Sequence, residues 1–256
     1  MDRIAVAATA PFGADVLERL AAKHDIVQLL TREDAPRGRG RKVAPSAAKA
    51  AAERLAIPVV QRLADLDADT VVVCAYGRLI PESALERGLW LNVHPSLLPR
   101  WRGAAPVERA LMAGDTETGV TIHETIKELD AGPIAAQEAF LIGADDDAGV
   151  VYARSAEIAV RLLDVVLAHP EFTLQPEEGA TYAEKITPAD RILDPTRPAL
   201  DLVNRVRALS PHIGAKLGDL IVWKARVAAD GTFEPLEVQP AGGKRMTYDA
   251  YLRGRR

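Results

Sequence analysis

An apolar, β-branched run at residues 70–77 (TVVVCAYG) constrains the fold more than any other feature of this sequence. A second apolar run follows at 89–91, and runs of this kind that end near Gly or Pro are typical of buried strands in a parallel sheet. Near the N-terminus, residues 4–8 and 26–30 have strand patterns, and between them residues 9–13 have a turn pattern with Pro11 and Gly13 and residues 14–23 a helical pattern. This βαβ order predicts an α/β fold with a mostly parallel sheet.

Two polar residues, Asn92 and His94, come directly after the second apolar run at alternate positions. In extended backbone their side chains face the same way. Pro95 and Pro99 keep the residues before them extended, so a stiffened loop is predicted to follow the strand. Open α/β sheets place their sites at the carboxyl ends of strands, and this pair therefore marks the candidate site.

The residue types at this site favour acyl-transfer chemistry. A histidine titrates near neutrality and can move a proton, and an asparagine amide can donate to an oxygen that gains charge as a carbonyl becomes tetrahedral. Asp130 precedes a Gly-Pro turn, and its carboxylate could orient His94 and favour the charged form. This set has no Ser or Cys nucleophile, which favours direct transfer. Taken singly, each residue is more often a core histidine or a turn-forming Asx residue.

The longer pattern resembles the folate-dependent formyltransferase family. The family's mark is Asn-x-His, then Ser-Leu-Leu-Pro and a downstream Asp, and the chain has Asn92, His94, SLLPRWRGAAP at 96–106 and Asp130. With TGVTI at 118–122, the pattern is most similar to the members that formylate methionyl initiator tRNA. The resemblance covers nearly the whole chain and implies a Rossmann-like formyltransferase domain.

The resemblance also implies the reaction and its co-substrate. The formyl group of 10-formyltetrahydrofolate would pass to the α-amino group of methionyl initiator tRNA through a tetrahedral intermediate, without a metal. The catalytic residues would be Asn92, His94 and Asp130, with Asn92 and a cationic His94 stabilising the oxyanion. The implied folate-binding residues are Tyr76, Gly77, Leu79, Ile80, Pro81, Ser96, Leu97, Leu98 and Pro99.

A basic, glycine-containing stretch at 32–46 is the candidate RNA contact. An arbitrary charge cluster of this kind is usually a solvated loop. The similar loop of the tRNA-formylating members reaches the acceptor stem, so the resemblance implies RNA contacts. The formal net charge of −4 requires such a local patch for a nucleic-acid partner. The implied RNA-binding residues are Arg37, Arg39, Arg41 and Lys42.

The predicted domain organisation is a catalytic domain at 1–170, a linker at 171–181 and a C-terminal domain at 182–256. The linker is inferred from its polar, Pro-, Glu- and Gly-containing composition. In the family, Tyr-Ala-Glu-Lys, found here at 182–185, opens a small OB-like β-barrel that binds tRNA. The pattern predicts a helix at 200–209 and strands at 220–227 and 235–240. Only residues 228–234 separate the two strands, where relatives carry more, so a shortened barrel is expected.

The sequence does not decide the roles of three residues in the loop after His94. Arg100 and Arg102 could contact the folate glutamate tail or RNA, but an exposed loop arginine without a partner is nearly as common. Trp101 could be a stacking platform or simply loop packing.

The remaining features narrow the class of protein. The single cysteine, Cys74, lies in an apolar run and fits a core thiol in a cytoplasmic protein. No stretch is long enough to span a membrane, and a monomer is expected. The first turn lacks Gly-x-Gly-x-x-Gly, so a dinucleotide is not indicated. The acidic turn at 145–147 lacks the further oxygen ligands and the late Glu of a calcium loop.

Two other functions compete with tRNA formylation. A formyltransferase acting on a nucleotide-linked amino sugar, or another folate enzyme, would have the same Asn-His-Asp core. A non-catalytic RNA-binding protein on this fold would not need Asn92, His94 and Asp130 together.

Overall fold

The computed structural model of the chain describes residues 3–37 and 42–254, and for Arg37 and Lys42 it describes the backbone alone. The chain forms two compact units, each assembled from separate segments. Unit 1 consists of 1–102, 119–139 and 153–181, and unit 2 of 103–118, 140–152 and 182–256. The predicted domain boundaries at 170 and 181 stay a prediction.

The described residues form fifteen β-strands: β1 (Ile4–Ala8), β2 (Ile26–Leu30), β3 (Ala35–Arg37), β4 (Lys42–Ala44), β5 (Val59–Val60), β6 (Thr70–Cys74), β7 (Leu89–His94), β8 (Arg102–Gly103), β9 (Glu117–Glu124), β10 (Ile134–Leu141), β11 (Tyr182–Ala183), β12 (Ala215–Leu217), β13 (Leu220–Val227), β14 (Phe233–Pro240) and β15 (Met246–Thr247). They form seven α-helices: α1 (Pro11–Ala21), α2 (Ala47–Arg54), α3 (Glu82–Leu85), α4 (Pro106–Ala113), α5 (Ala148–Ala168), α6 (Ala199–Leu209) and α7 (Tyr248–Arg253). None of these helices is long and apolar enough to cross a membrane.

The larger sheet has seven strands in the order β10-β9-β7-β6-β1-β2-β5. Neighbouring strands are parallel throughout the series β7-β6-β1-β2-β5, and β9 pairs with β7 in the antiparallel sense. The predicted α/β class with a mostly parallel sheet is therefore confirmed. The run that predicted a buried strand is β6, where the consecutive residues Val71 and Val72 are both buried. Burial on both faces explains why this strand has no polar alternation.

Helix α1 corrects one local prediction. The sequence pattern indicated a turn around Pro11 and Gly13, but the helix begins at Pro11. Proline is favoured in the first helical turn because its missing N–H would have no intrahelical acceptor there. A Cβ on Gly13 would lie 2.4 Å from the Cys74 carbonyl oxygen, so only glycine lets the helix lie this close to β6.

The smaller unit contains a four-stranded sheet in the order β12-β13-β14-β15, with antiparallel pairing throughout. The strand predicted at 220–227 is confirmed as β13, and the helix predicted at 200–209 is confirmed as α6. Leu202, Val206 and Leu209 of α6 pack with Val222 and Val238 of the sheet in one apolar cluster. This cluster gives the unit a hydrophobic core of its own.

Candidate active site

Strand β7 carries both polar residues of the predicted pair. Asn92 and His94 are alternate residues near its carboxyl end, so their side chains share a face. The parallel register pairs Asn92 with Val73 of β6, and the antiparallel register pairs it with His123 of β9. His94 is buried, whereas Asn92 is half-buried.

Asp130 completes the cluster from a separate turn after β9. The Asn92 Nδ2 donates a hydrogen bond to the Asp130 Oδ1 at 3.0 Å, and the His94 Nδ1 lies 3.7 Å from the Asp130 Oδ2. Asp130 has a φ of +50°, in the left-handed region that side chains rarely adopt. The fold thus brings the three predicted catalytic residues together around one carboxylate.

The second nitrogen of His94 also faces an oxygen. The His94 Nε2–H donates to the Trp101 carbonyl oxygen at 2.8 Å, because that oxygen can only accept. Burial lowers the pKa of His94 below its ordinary value, and the neighbouring Asp130 carboxylate opposes this shift. Asp130 therefore favours the charged form of His94, as expected, but burial has the larger effect and the net shift of the pKa is downward.

His123 is a member of the cluster that no sequence motif indicates. Its Nδ1–H donates to the Glu124 carbonyl oxygen at 2.8 Å, and its Nε2 lies 3.7 Å from the Asp130 Oδ1. The Nε2 atom is buried and has no hydrogen-bond partner among the described residues. The position of His123 in β9 is the only signal in the sequence. That position indicates a place in the site only once β9 is known to pair antiparallel with β7.

A family profile described as "Formyl transferase" matches residues 2–167 of the chain. A methionyl-tRNA formyltransferase of Halorhodospira halophila is 39% identical over 302 residues, covering 99% of this chain and 96% of the relative. The chain belongs to the methionyl-tRNA formyltransferase family. The resemblance seen in the sequence motifs is therefore confirmed, as is the prediction of a formyltransferase enzyme.

Two solved structures share the fold of this family member. An N-formyltransferase from Helicobacter canadensis, in complex with folinic acid and dTDP-3-aminofucose, has a TM-score of 0.71 at 17% identity and covers 89% of this chain and 88% of its own. A methionyl-tRNA formyltransferase from Clostridium thermocellum has a TM-score of 0.66 at 13% identity, with coverages of 96% and 100%. At these identities the likeness shows the fold alone.

The loop after β7 is held by side chains of the neighbouring strands. The Ser96 hydroxyl donates to the Arg100 carbonyl oxygen at 2.7 Å, and the Thr121 hydroxyl donates to the Ser96 carbonyl oxygen at 2.7 Å. The Gln137 amide donates to the Leu98 carbonyl oxygen at 3.0 Å. These bonds fix the path by which the loop leads from His94 to the Trp101 carbonyl group.

The residues that the family resemblance implies for folate binding lie in two segments. In the first, the Thr9 hydroxyl donates to the Tyr76 carbonyl oxygen at 2.9 Å, and Gly77 has a φ of +72° that glycine adopts without strain. Tyr76 is buried in an apolar cluster with Trp90. The other positions differ in exposure: Gly77, Leu79 and Pro81 are exposed, Ile80, Leu97 and Pro99 are half-buried, and Ser96 and Leu98 are buried.

Arg102 fits neither alternative that the sequence left open, a contact with folate or RNA or an exposed side chain without a partner. Its side chain is 3% exposed, and its Nη2 and Nε donate to the Gln175 Oε1 at 3.0 and 3.2 Å. Its Nη1 lies 3.4 Å from Glu177. A guanidinium buried in this way is not available to a folate tail or to RNA. Arg100, in contrast, is exposed, and its guanidinium carbon lies 4.4 Å from the centre of the Trp101 ring.

Two of the predicted RNA-binding residues lie in the short strand pair of β3 and β4. The backbones of Arg37 in β3 and Lys42 in β4 pair in the antiparallel sense. Arg39 and Arg41 lie outside the described residues. Lys49 anchors the region before β3 through a 2.8 Å ion pair with Asp34. The RNA role of these four basic residues stays a prediction.

Proposed function

We propose that this chain transfers the formyl group of 10-formyltetrahydrofolate to the α-amino group of methionyl initiator tRNA. The observation that carries the proposal is the Asn92–His94–Asp130 cluster, in a chain that aligns over nearly its whole length with a methionyl-tRNA formyltransferase. The cluster supplies donors and a proton acceptor but no covalent nucleophile. Direct attack of the amine on the formyl carbon fits these groups.

Asn92 is proposed to stabilise the oxyanion. One N–H of its amide donates to the Asp130 Oδ1, which holds the amide plane in place. The same nitrogen carries a second N–H that can donate to the formyl oxygen as it gains negative charge. Because Asp130 fixes the orientation before the substrate binds, the amide needs little reorganisation during the reaction.

His94 is proposed to act as the proton acceptor. Burial favours its neutral form, in which Nε2–H donates to Trp101 and Nδ1 carries a lone pair. The Nδ1 atom accepts the proton that the attacking amine loses as the C–N bond forms. The imidazolium then has an oxygen near each nitrogen, the Trp101 carbonyl and the Asp130 carboxylate. The same proton passes on to the leaving folate nitrogen as its bond to the formyl carbon breaks.

The folate co-substrate is proposed to bind along the two segments 76–81 and 96–99. The related structure from Helicobacter canadensis contains folinic acid, a formylated folate. Exposed Leu79 and Pro81, together with half-buried Ile80, offer apolar surface for the pterin ring. The site residues in both segments stand as a proposal that mutation of each can test.

The tRNA is proposed to contact the basic stretch with Arg37, Arg39, Arg41 and Lys42 and the C-terminal domain at 182–256. We infer that the four-stranded sheet of β12–β15 is a shortened OB-like barrel, a class of fold that often binds nucleic acid. We expect a monomer in the cytoplasm, where the tRNA substrate is found.

An amino-sugar formyltransferase is the second candidate. The specific observation in its favour is the TM-score of 0.71 with the Helicobacter canadensis structure, whose ligand is a nucleotide-linked amino sugar. The 39% identity to a methionyl-tRNA formyltransferase, set against 17% to the sugar enzyme, favours the tRNA substrate.

A product assay separates the two substrates. Purified protein and 10-formyltetrahydrofolate are mixed with methionyl initiator tRNA in one reaction and with dTDP-3-aminofucose in another. We expect formyl-methionine on the tRNA alone, detected by mass spectrometry after ester hydrolysis. Product on the sugar alone would contradict the proposal. A reaction with His94→Ala controls for uncatalysed transfer.

A further inference from the structure

The segment 173–181, which lies within the linker predicted at 171–181, makes hydrogen bonds to both loops of the candidate active site. At its start, Thr173 pairs with Ile134 of β10 through two backbone hydrogen bonds of 2.8 and 2.9 Å. At its end, Thr181 lies beside the loop that carries Trp101. All of these residues belong to unit 1.

Gln175 connects the Asp130 turn to a buried cation. Its Nε2 donates to the Asp130 carbonyl oxygen at 3.0 Å and to the Gly132 carbonyl oxygen at 2.6 Å. Its Oε1 accepts from Arg102 at 3.0 Å. A guanidinium can only donate and a carbonyl can only accept, so the amide has one orientation that satisfies every partner.

Thr181 holds the peptide group that contacts His94. Its hydroxyl accepts from the Trp101 N–H at 2.9 Å, and its carbonyl oxygen accepts from the Arg102 N–H at 2.8 Å. The carbonyl oxygen of Trp101 is the acceptor for the His94 Nε2. The contacts of Thr181 therefore fix the position of the oxygen that orients the imidazole ring.

Both contacted loops contain a residue in a conformation that needs support. Trp101 has a φ of +65° and Asp130 a φ of +50°, where a side chain crowds the backbone. Such conformations persist where the surrounding structure holds them. The segment 173–181 supplies bonds next to each of these two residues, through Thr181 and Gln175.

We propose that Gln175 and Thr181 are positioning residues for the formyl-transfer reaction, holding Asp130 and the His94 ring through the backbone of the two loops. This inference rests on the proposed function of the Asn92–His94–Asp130 cluster. It assigns the segment 173–181 to the active-site scaffold in addition to any role in connecting domains.

Two variants test the role of Gln175 and Thr181, and a third serves as their control. Gln175→Leu keeps a side chain of similar volume but removes every side-chain hydrogen bond, and Thr181→Val removes the hydroxyl that accepts from Trp101. We expect about a 10- to 100-fold loss in kcat for each, since small displacements of catalytic groups have effects of this size, with an unchanged KM for methionyl-tRNA. Glu178→Gln, an exposed change in the same segment, serves as the matched control and keeps the wild-type kcat.

Gln175→Glu separates positioning from simple pairing with Arg102. The carboxylate still accepts from the guanidinium but cannot donate to the Asp130 and Gly132 carbonyl oxygens. If Gln175 holds the turn, this variant is as impaired as Gln175→Leu. Wild-type kcat in Gln175→Glu would overturn the proposal, because pairing with Arg102 would then be the whole role.

Histidine NMR gives a readout that does not depend on turnover. With ¹⁵N-labelled histidine, we expect Gln175→Leu to move the His94 titration to lower pH, since a displaced Asp130 opposes the effect of burial less. An unchanged titration in Gln175→Leu, together with wild-type kcat in Thr181→Val, would overturn the inference. If the wild-type protein formylates no acceptor, the proposed function fails, and the titration still decides whether Gln175 positions Asp130.

Discussion

The candidate active site and the four-stranded sheet of unit 2 place their charged side chains in opposite surroundings. In the site, His94, His123 and Asp130 are 4%, 1% and 9% exposed, and each depends on its neighbours for polar contacts. In the sheet, Arg226 and Glu234 form an ion pair at 2.6 Å with side chains that are 61% and 39% exposed. Water screens the Arg226–Glu234 ion pair, so the pair contributes little to stability.

The difference indicates which polar contacts govern chemistry and which residues govern stability. Buried groups have proton affinities that depend on burial and on specific partners, so removing one partner changes the others. The stability of unit 2 instead depends on its apolar cluster, while its surface charges are nearly independent of the core. Four changes test this contrast, and we expect their effects to decrease in the order given.

Asp130→Ala should have the largest effect on the reaction. It removes the carboxylate that orients Asn92 and faces His94, and general acid–base groups contribute about 10²- to 10⁴-fold to rates. We expect a loss of kcat in this range with native circular dichroism, measured by tRNA formylation. Near-wild-type turnover would exclude Asp130 from the catalytic cluster.

Leu209→Ala should have the largest effect on the stability of unit 2. Leu209 is 1% exposed in the apolar cluster, and such truncations lower the free energy of unfolding by about 2–5 kcal/mol. Leu200→Ala is the matched control on the same helix, since that side chain is 60% exposed. Urea unfolding of both variants measures the effect, and equal midpoints would contradict the assignment of the core.

The pH dependence of kcat/KM should follow the pKa of the buried His94. If neutral His94 accepts the proton, activity falls as the pH decreases through its pKa, which burial holds below the ordinary value of 6.5. Asp130→Asn removes the group that raises this pKa, so the acid limb should move to still lower pH. A shift to higher pH would show that another group controls this limb. His24→Gln, at a half-buried surface histidine, should leave the limb unchanged.

Arg226→Ala should have the smallest effect of the four. The side chain is exposed and its partner Glu234 stays solvated after the change. We expect the urea midpoint to stay at its wild-type value, because water replaces the lost ion pair. A clear loss of stability, checked against Glu234→Ala, would mean that surface pairing also supports this sheet.

Local patterns predicted most of the elements that surround the site. The β-branched run at 70–77 predicted β6, and the alternate spacing of Asn92 and His94 predicted that they share a face of one strand. These predictions succeed because an apolar run and the alternation of side chains along a strand are both visible in consecutive residues. The turn predicted at Pro11 failed because the same residue suits a loop and the first turn of a helix.

Two members of the site environment could not be predicted in this way. His123 comes close to Asp130 only through the antiparallel register of β9 on β7, which no local pattern specifies. Arg102 has the same local signature as the exposed Arg100, yet it is buried against Gln175, a residue distant in the chain. In both cases the partner is set by how separate segments pack.

Consecutive residues were enough to predict the family, the parallel sheet and the candidate set of Asn92, His94 and Asp130, because motifs and strand patterns are local. The direction of the His94 pKa shift, the burial of Arg102 and the contacts of the segment 173–181 depend instead on how distant segments pack. Proton affinity and charge pairing depend on desolvation and on partners brought from distant parts of the chain, and folding alone determines both.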